Sequence, residues 1–222
     1  MKVLELFAGT RSIGKAFEAR EHEVWSAEWD ESFENINYYG DILNLTVDFI
    51  VENFGLPDVI WASPDCTTFS IAAISHHRWR DPETGHLHPK SDYAKKCDEV
   101  DQHVLYLIDE LNRLRLEQGL PELIYFIENP RGGMRKQEWM QDRPRYTVTY
   151  CQYGDTRMKP TDIWTNHPNP QFKPMCKNGD PCHERAPRGA KTGTQGLKGS
   201  RERSVIPAML CEHIVNICEA VV

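Results

Sequence analysis

The chain has 222 residues, 40% hydrophobic and 27% charged, enough for one α/β domain burying roughly 70% of its unfolded surface but cramped for two. No apolar run approaches the ~20 residues that span a bilayer, and residues 1–5 lead into a strand pattern rather than a signal peptide. Seven cysteines without a disulfide-rich spacing point to a reducing cytoplasm. The net charge of −7 hides an asymmetry: residues 131–203 hold 15 Lys and Arg against 7 Asp and Glu, net +8, and the remainder 11 against 26, net −15. So basic a stretch suits a phosphate backbone, though a solvated loop would look the same in sequence.

Lys2 to Phe7 reads as a strand buried on both sides, Ala8-Gly9-Thr10 as a turn, and Ser12 to Arg20 as a helix. Strand, glycine turn and helix start form a cradle for an adenosine-type ligand, because the turn admits ligand atoms close to the backbone. Glu23 to Ala27 is the next strand and ends in Glu28, an acidic residue about twenty positions past the turn, placed to accept from ribose hydroxyls. Val47 to Phe54 is expected to be helical. The apolar run Val59 to Ala62 is a strand, and Cys66 lies just beyond its carboxyl end, where open α/β sheets place their chemistry. A lone cysteine there is more often structural. A second strand, Leu123 to Ile127, however, delivers Glu128 to the same kind of position.

Between them, Ile71 to Pro89 reads as a loop holding His76, His77, His86 and His88 with Arg78 and Arg80, either a lid over substrate or plain surface; zinc there would lack a second cluster of ligands. Ser91 to Leu116 is the longest helical pattern and reads as scaffold with no catalytic role. Gly132 to Gln141 is a short basic helix or loop; Arg145 to Gln152 and Asp162 to Thr165 are strands. Asn166 to Arg203 is rich in Gly, Pro, Lys and Arg, and Ser204 opens a terminal helix to Val221. Cys176 and Cys182-His183, with His167 or Cys151, have the chemistry to hold zinc. Their Cys-x5-Cys spacing is not a common finger spacing, so no metal ligand is assigned from sequence.

Pro64-Asp65-Cys66-Thr67-Thr68-Phe69-Ser70 and Glu128-Asn129-Pro130 resemble the catalytic motifs of the DNA (cytosine-5)-methyltransferases, usually Pro-Pro-Cys-Gln-x-Phe-Ser and Glu-Asn-Val. Glu5-Leu6-Phe7-Ala8-Gly9 is similar to the family's Asp-Leu-Phe-Ala-Gly-x-Gly-Gly, with Arg11 and Ser12 standing where the later glycines belong. Gly40-Asp41-Ile42 resembles the next family element. Tyr153 to Thr161 resembles Tyr-Gly-x-x-Gln-x-Arg-x-Arg, with Arg157, Lys159 and Thr161 in its polar slots, and Ser204 to Leu210 resembles the closing Gly-Asn-Ala-Val-Pro-Pro. Together these cover residues 2 to about 215.

The resemblance implies an α/β, Rossmann-like class I S-adenosylmethionine-dependent methyltransferase fold, its mostly parallel sheet covered by helices on both faces. It implies a catalytic domain over 1–165, a compact target-recognition insert over 166–203, and a terminal helix over 204–222 completing the domain. S-adenosyl-L-methionine would lie against Phe7, Ala8, Gly9, Thr10 and Ser12, with Glu28 on the ribose, Trp29 packed on the adenine, Asp41 and Ile42 beside its amino group, and Pro64, Ser204 and Val205 closing the pocket. Cys66 would attack C6 of a cytosine while Glu128, holding a proton, donates to N3, with Arg157 and Lys159 close by; such a site must favour the thiolate. Ser63, Asn129, Pro130, Arg78, Arg80 and Arg188 would hold double-stranded DNA with the target base flipped out. The implied protein is a monomer with no membrane partner, a short phage-type form in a bacterial or phage-infected cytoplasm, of the restriction-modification kind. Two alternatives stand beside it: methylation of RNA, and a non-catalytic module binding cofactor or nucleic acid.

Overall fold

The computed structural model describes residues 1–185 and 199–221. The chain begins with β1 (Lys2–Leu6), α1 (Ser12–Glu18), β2 (Glu23–Glu28), a two-residue edge strand β3 (Tyr38–Tyr39), α2 (Val47–Asn53) and β4 (Val59–Ala62). A short helix α3 (Ile74–His77) and an antiparallel hairpin of β5 (Arg78–Arg80) and β6 (Leu87–Pro89) occupy the stretch read as loop. Next come α4 (Asp92–Glu117), β7 (Ile124–Pro130), β8 (Arg145–Thr149), β9 (Pro160–Thr165), α5 (Ser200–Ser204) and α6 (Ala208–Glu219). No helix among the described residues is long and apolar enough to cross a membrane.

Two boundaries differ from the sequence reading for local reasons. The strand expected to reach Gln152 stops at Thr149, where Tyr150–Tyr153 tighten into a 3-10 turn ended by Gly154 at φ 89°, a conformation suited to glycine. The terminal helix starts at Ala208 instead of Ser204: Val205 is extended (ψ 128°), and the residues before Pro207 are biased away from helix.

The sheet order is β3-β2-β1-β4-β7-β9-β8, parallel through β7, with β9 antiparallel to both β7 and β8. This is the Rossmann-like, mostly parallel arrangement expected. Alternate residues feed two cores, which is why the strands read as unbroken apolar runs. Leu4, Leu6, Ile60 and Ile127 pack with Ile50 of α2 and Leu107, Ile108 and Leu111 of α4. Val3, Val59, Trp61 and Phe126 pack on the other face with Ile13 and Phe17 of α1 and Leu210, Ile214 and Ile217 of α6. The order in which successive strands join the sheet reverses between β1 and β4, and such a switch point opens a crevice at the strands' carboxyl ends.

One buried carboxyl couples this core to pH. Glu5, in the central strand and 2% exposed, accepts from Gly14 N–H (2.9 Å) and the Ser26 hydroxyl (2.9 Å). Burial pushes its pKa up from 4.5 to about 7, against the lowering effect of those hydrogen bonds and of Arg11. The folded protein therefore holds this proton where the unfolded chain has released it, so Glu5's contribution is fully present below pH 4.5 and is lost as pH rises through 7. Glu5→Gln should gain on the wild type by about 3 kcal/mol between pH 4.5 and pH 8 in urea unfolding. A stability difference that stays flat across that range would contradict this account.

Candidate active site

Cys66 and Glu128 reach one edge of the sheet because β4 and β7 are neighbouring parallel strands, paired Ala62 with Ile127. Glu128 follows directly on that pair, and Cys66 sits four residues past Ala62, at the start of a 3-10 turn (Thr67–Phe69) closed by Phe69 N–H and Ser70 N–H on the Cys66 carbonyl. Asn129, fully buried, donates to the Pro64 carbonyl (3.0 Å) and ties the two strand ends together. Gly132 keeps the loops close: a Cβ there would lie 2.6 Å from the Phe69 carbonyl oxygen. The buried Tyr150 donates its hydroxyl to Glu128 Oε1 (3.2 Å), and Lys159 extends over the Tyr150 ring (4.5 Å) while donating to the Arg203 carbonyl (2.9 Å).

The electrostatics couple these groups. Burial pushes the Cys66 thiol pKa up, the Glu128 and Asp65 carboxylates add to that, and Lys159 pulls it back down. Burial lowers the Lys159 pKa, while the charges of Glu128 and Cys66 act to raise it. The sequence reading asked for a site that favours thiolate; with Glu128 charged, this one favours the thiol, because a desolvated sulfur anion would face two carboxylates.

A cavity of about 460 Å³ opens at the carboxyl ends of β1 and β2. Of the residues expected around a cofactor, Phe7, Glu28, Trp29, Asp41 and Ile42 line it. Ala8, Gly9, Thr10, Ser12, Pro64, Ser204 and Val205 lie outside its wall, though several support it. Glu28 accepts from Gly9 N–H (2.8 Å) through one oxygen and from Trp29 N–H (2.9 Å) through the other. Ser12 bonds Thr10 (3.1 Å) and accepts from Ile206 N–H (3.3 Å), so the segment after Ser204 does return to the turn. Arg11, at φ 58°, takes the left-handed conformation a glycine would favour, anchored by Ser26 (3.0 Å) and Glu18. Trp29 is 71% exposed and offers a free ring face.

The opposite wall corrects the reading of α4 as scaffold. Tyr93, Lys96, Cys97, Val100 and Asp101 line the cavity, together with Asp65 beside Cys66. They form one helical stripe, and the legible signal was an acid on the stripe's buried side. Asp101 is 3% exposed, its Oδ2 has no hydrogen-bond partner, and burial, with Asp98 and Asp65 adding to it, holds its carboxyl well above the usual carboxylate range. Lys96 pairs with Asp41 (2.6 Å) across the cavity, engaging the carboxylate expected to receive an adenine amino group.

Other expected contacts are already engaged within the protein. Arg78 is buried: it pairs with Asp98 (2.8 Å), donates to Thr68, and stacks over Phe69 (4.0 Å), so it braces the Cys66 turn and does not reach outward. Arg157 is clamped by Asp155 (2.6 Å), and the Ser63 hydroxyl accepts from Trp61 (2.8 Å). Arg80 is exposed, donating to the Gly85 carbonyl (3.3 Å), and Pro130 closes β7. Arg188 lies outside the described residues. Among the described residues these histidines form no group of metal ligands: His88 stacks on Trp79 (4.7 Å), His76 meets His77 edge-on (4.9 Å), and His77 bonds Ser91 (2.8 Å). A second cavity, about 380 Å³, lies by Leu123 and Asn166 at the amino end of β7, away from Cys66.

No family model matches the chain. The Frog virus 3 (isolate Goorha) protein named "Probable DNA (cytosine-5)-methyltransferase" is 29% identical over 234 residues, covering 98% of this chain and 100% of that one. Solved structures with similarity include a candidate DNA modification methyltransferase from an E. coli prophage (TM-score 0.48, 16% identity, 74% of this chain and 46% of that one). Others are the Entamoeba histolytica methyltransferase EhMeth (0.49, 12%, 74% and 52%) and the S. pombe Dnmt2 methyltransferase (0.44, 11%, 74% and 48%). The chain spans about half the length of these solved proteins. The likeness to the viral protein runs from end to end of both chains, so a probable DNA (cytosine-5)-methyltransferase is what this chain is similar to over its whole length.

Proposed function

We propose that the chain methylates C5 of cytosine in double-stranded DNA, through a transient bond from Cys66 to C6 of a base flipped out of the duplex. The observation that carries this is the coupled trio of Cys66, Glu128 and Lys159 at the adjoining ends of β4, β7 and β9, beside a cavity whose wall includes Asp65. Moving the thiol proton to Glu128 removes the charge that opposes a thiolate and leaves a nucleophile and an acid together. Sulfur then adds to C6 as Glu128 gives its proton to N3, which makes C5 nucleophilic. After C5 is methylated, the C5 proton leaves to solvent, Cys66 is expelled, and the N3 proton returns to Glu128.

The cavity fits S-adenosylmethionine: its volume is in the ordinary ligand range, Glu28 lines it where a ribose would lie, Trp29 offers an aromatic face, and the buried Asp101 Oδ2 has a free hydrogen-bonding position. That cofactor, when bound, supplies an electrophilic methyl group. Asn129 and Pro130 shape the base pocket, Lys159 contacts the base or its phosphate, and Arg80 and Arg188 follow the backbone, with residues 166–203 as the recognition insert. Extruding the base costs a few kcal/mol, offset by these contacts.

DNA carrying 5-fluorocytosine, incubated with protein and cofactor, should yield a covalent adduct, because fluorine blocks the last elimination; Cys66→Ser should yield none. An adduct with RNA and none with DNA would move the substrate to RNA, and no adduct with either would overturn the reading.

A further inference from the structure

Outside the catalytic crevice, three sulfurs and one imidazole converge. Cys151 lies in the 3-10 turn after β8, Cys176 in the segment after β9, and Cys182 and His183 shortly beyond it. Their ligand atoms all lie within 4.8 Å of one another, the only such group of three or more among the described residues. Cys151 Sγ is 3.1 Å from Cys176 Sγ and 3.6 Å from Cys182 Sγ; His183 Nδ1 is 3.7 Å from Cys176 Sγ and 3.6 Å from Cys182 Sγ. With Zn–S near 2.3 Å and Zn–N near 2.0 Å, a tetrahedron sets neighbouring sulfurs about 3.8 Å apart and sulfur from nitrogen about 3.5 Å. Three of the four distances match these edges, and the fourth pair would open by about 0.7 Å.

We propose that Cys151, Cys176, Cys182 and His183 form a structural zinc site. Four protein ligands leave no open position, and a three-sulfur, one-nitrogen set favours zinc over the hard cations Mg²⁺ and Ca²⁺. The backbone is already shaped for it. Cys176 N–H donates to the Thr149 hydroxyl (3.1 Å), a turn at residues 177–180 is closed by Lys177 N–H on Asp180 (2.6 Å), and Glu184 N–H donates to the Thr156 carbonyl (2.8 Å). Ligation through Nδ1 places the imidazole proton on Nε2, so the long contact from Gly179 N–H (3.4 Å) to that nitrogen gives way. The sequence left the fourth ligand open between His167 and Cys151. His167 is instead held at the Ile217 carbonyl (2.9 Å) and by Asn169 N–H (3.1 Å).

The metal would fasten the segment after β9 to the turn that leads into Arg157 and Lys159. The recognition segment and the cation beside Cys66 thus share one anchor, independent of whether the protein methylates anything. Full-length protein purified without chelator should contain one equivalent of zinc by elemental analysis. Cobalt-exchanged protein should show the visible bands of tetrahedral cobalt with thiolate charge transfer. Cys182→Ser/His183→Ala should lose both signals, since Cys182 is exposed and its replacement leaves the core untouched. Cys218→Ala, far along α6, should retain them. Zinc-free wild type that also fails to take up cobalt, full loading of the double variant, or a Cys151–Cys176 disulfide in protein isolated under reducing conditions would overturn the site.

Discussion

Cys66→Ala should reduce methyl transfer by on the order of 10⁴-fold or more while cofactor binding stays within about twofold. Both follow from position. The sulfur stands past the end of β4, and the nearest residue of the cavity wall is its neighbour Asp65. Alanine removes the bond-forming atom, and the turn survives because its hydrogen bonds run to the Cys66 backbone carbonyl. Radiolabelled methyl transfer and titration of Trp29 fluorescence would measure the two quantities separately. Residual turnover above about 1% of wild type would remove Cys66 from the mechanism. Lys159→Met should slow alkylation of Cys66 at neutral pH, because it deletes the charge that lowers the thiol pKa.

Glu128→Gln should lower methyl transfer by roughly 10²- to 10⁴-fold, the usual worth of a positioned general acid. Its second effect runs the other way. The Glu128 carboxylate raises the Cys66 thiol pKa, so its neutral replacement should increase thiolate at neutral pH and speed alkylation of Cys66. A variant with a more reactive sulfur and slower methylation separates proton donation from mere packing. Equal losses in both assays would instead mean that the substituted amide has disturbed the crevice, for instance by losing the Tyr150 contact.

The strands, the glycine turn, Glu28 and the Cys66–Glu128 pair were all legible in the chain, because each is a local pattern: an apolar run, a breaker, and a reactive residue at the run's end. Stripe spacing also located α4, from Ser91 to Leu116 against the observed Asp92–Glu117. That one side of it borders a cavity was not legible, because the facing wall comes from distant residues such as Phe7, Glu28 and Asp41. The contacts of Arg78 and Ser63 within the protein were hidden for a related reason. Composition reveals that a guanidinium or hydroxyl is present, whereas packing decides whether Asp98 or Trp61 has already engaged it. Arg11 shows the converse, a side chain tolerated in a left-handed turn because Ser26 and Glu18, farther along the chain, hold it.

By itself the sequence determined the order of strands and helices and that Cys66 and Glu128 stand at the ends of two strands. Tertiary structure alone decided which cations are already engaged, that the neighbours of Cys66 oppose its ionisation, and that Cys151 joins thiols and an imidazole from well beyond β9. The division is physical: periodicity and turn chemistry act over a few residues, while desolvation, charge coupling and ligand geometry depend on distances that only packing sets.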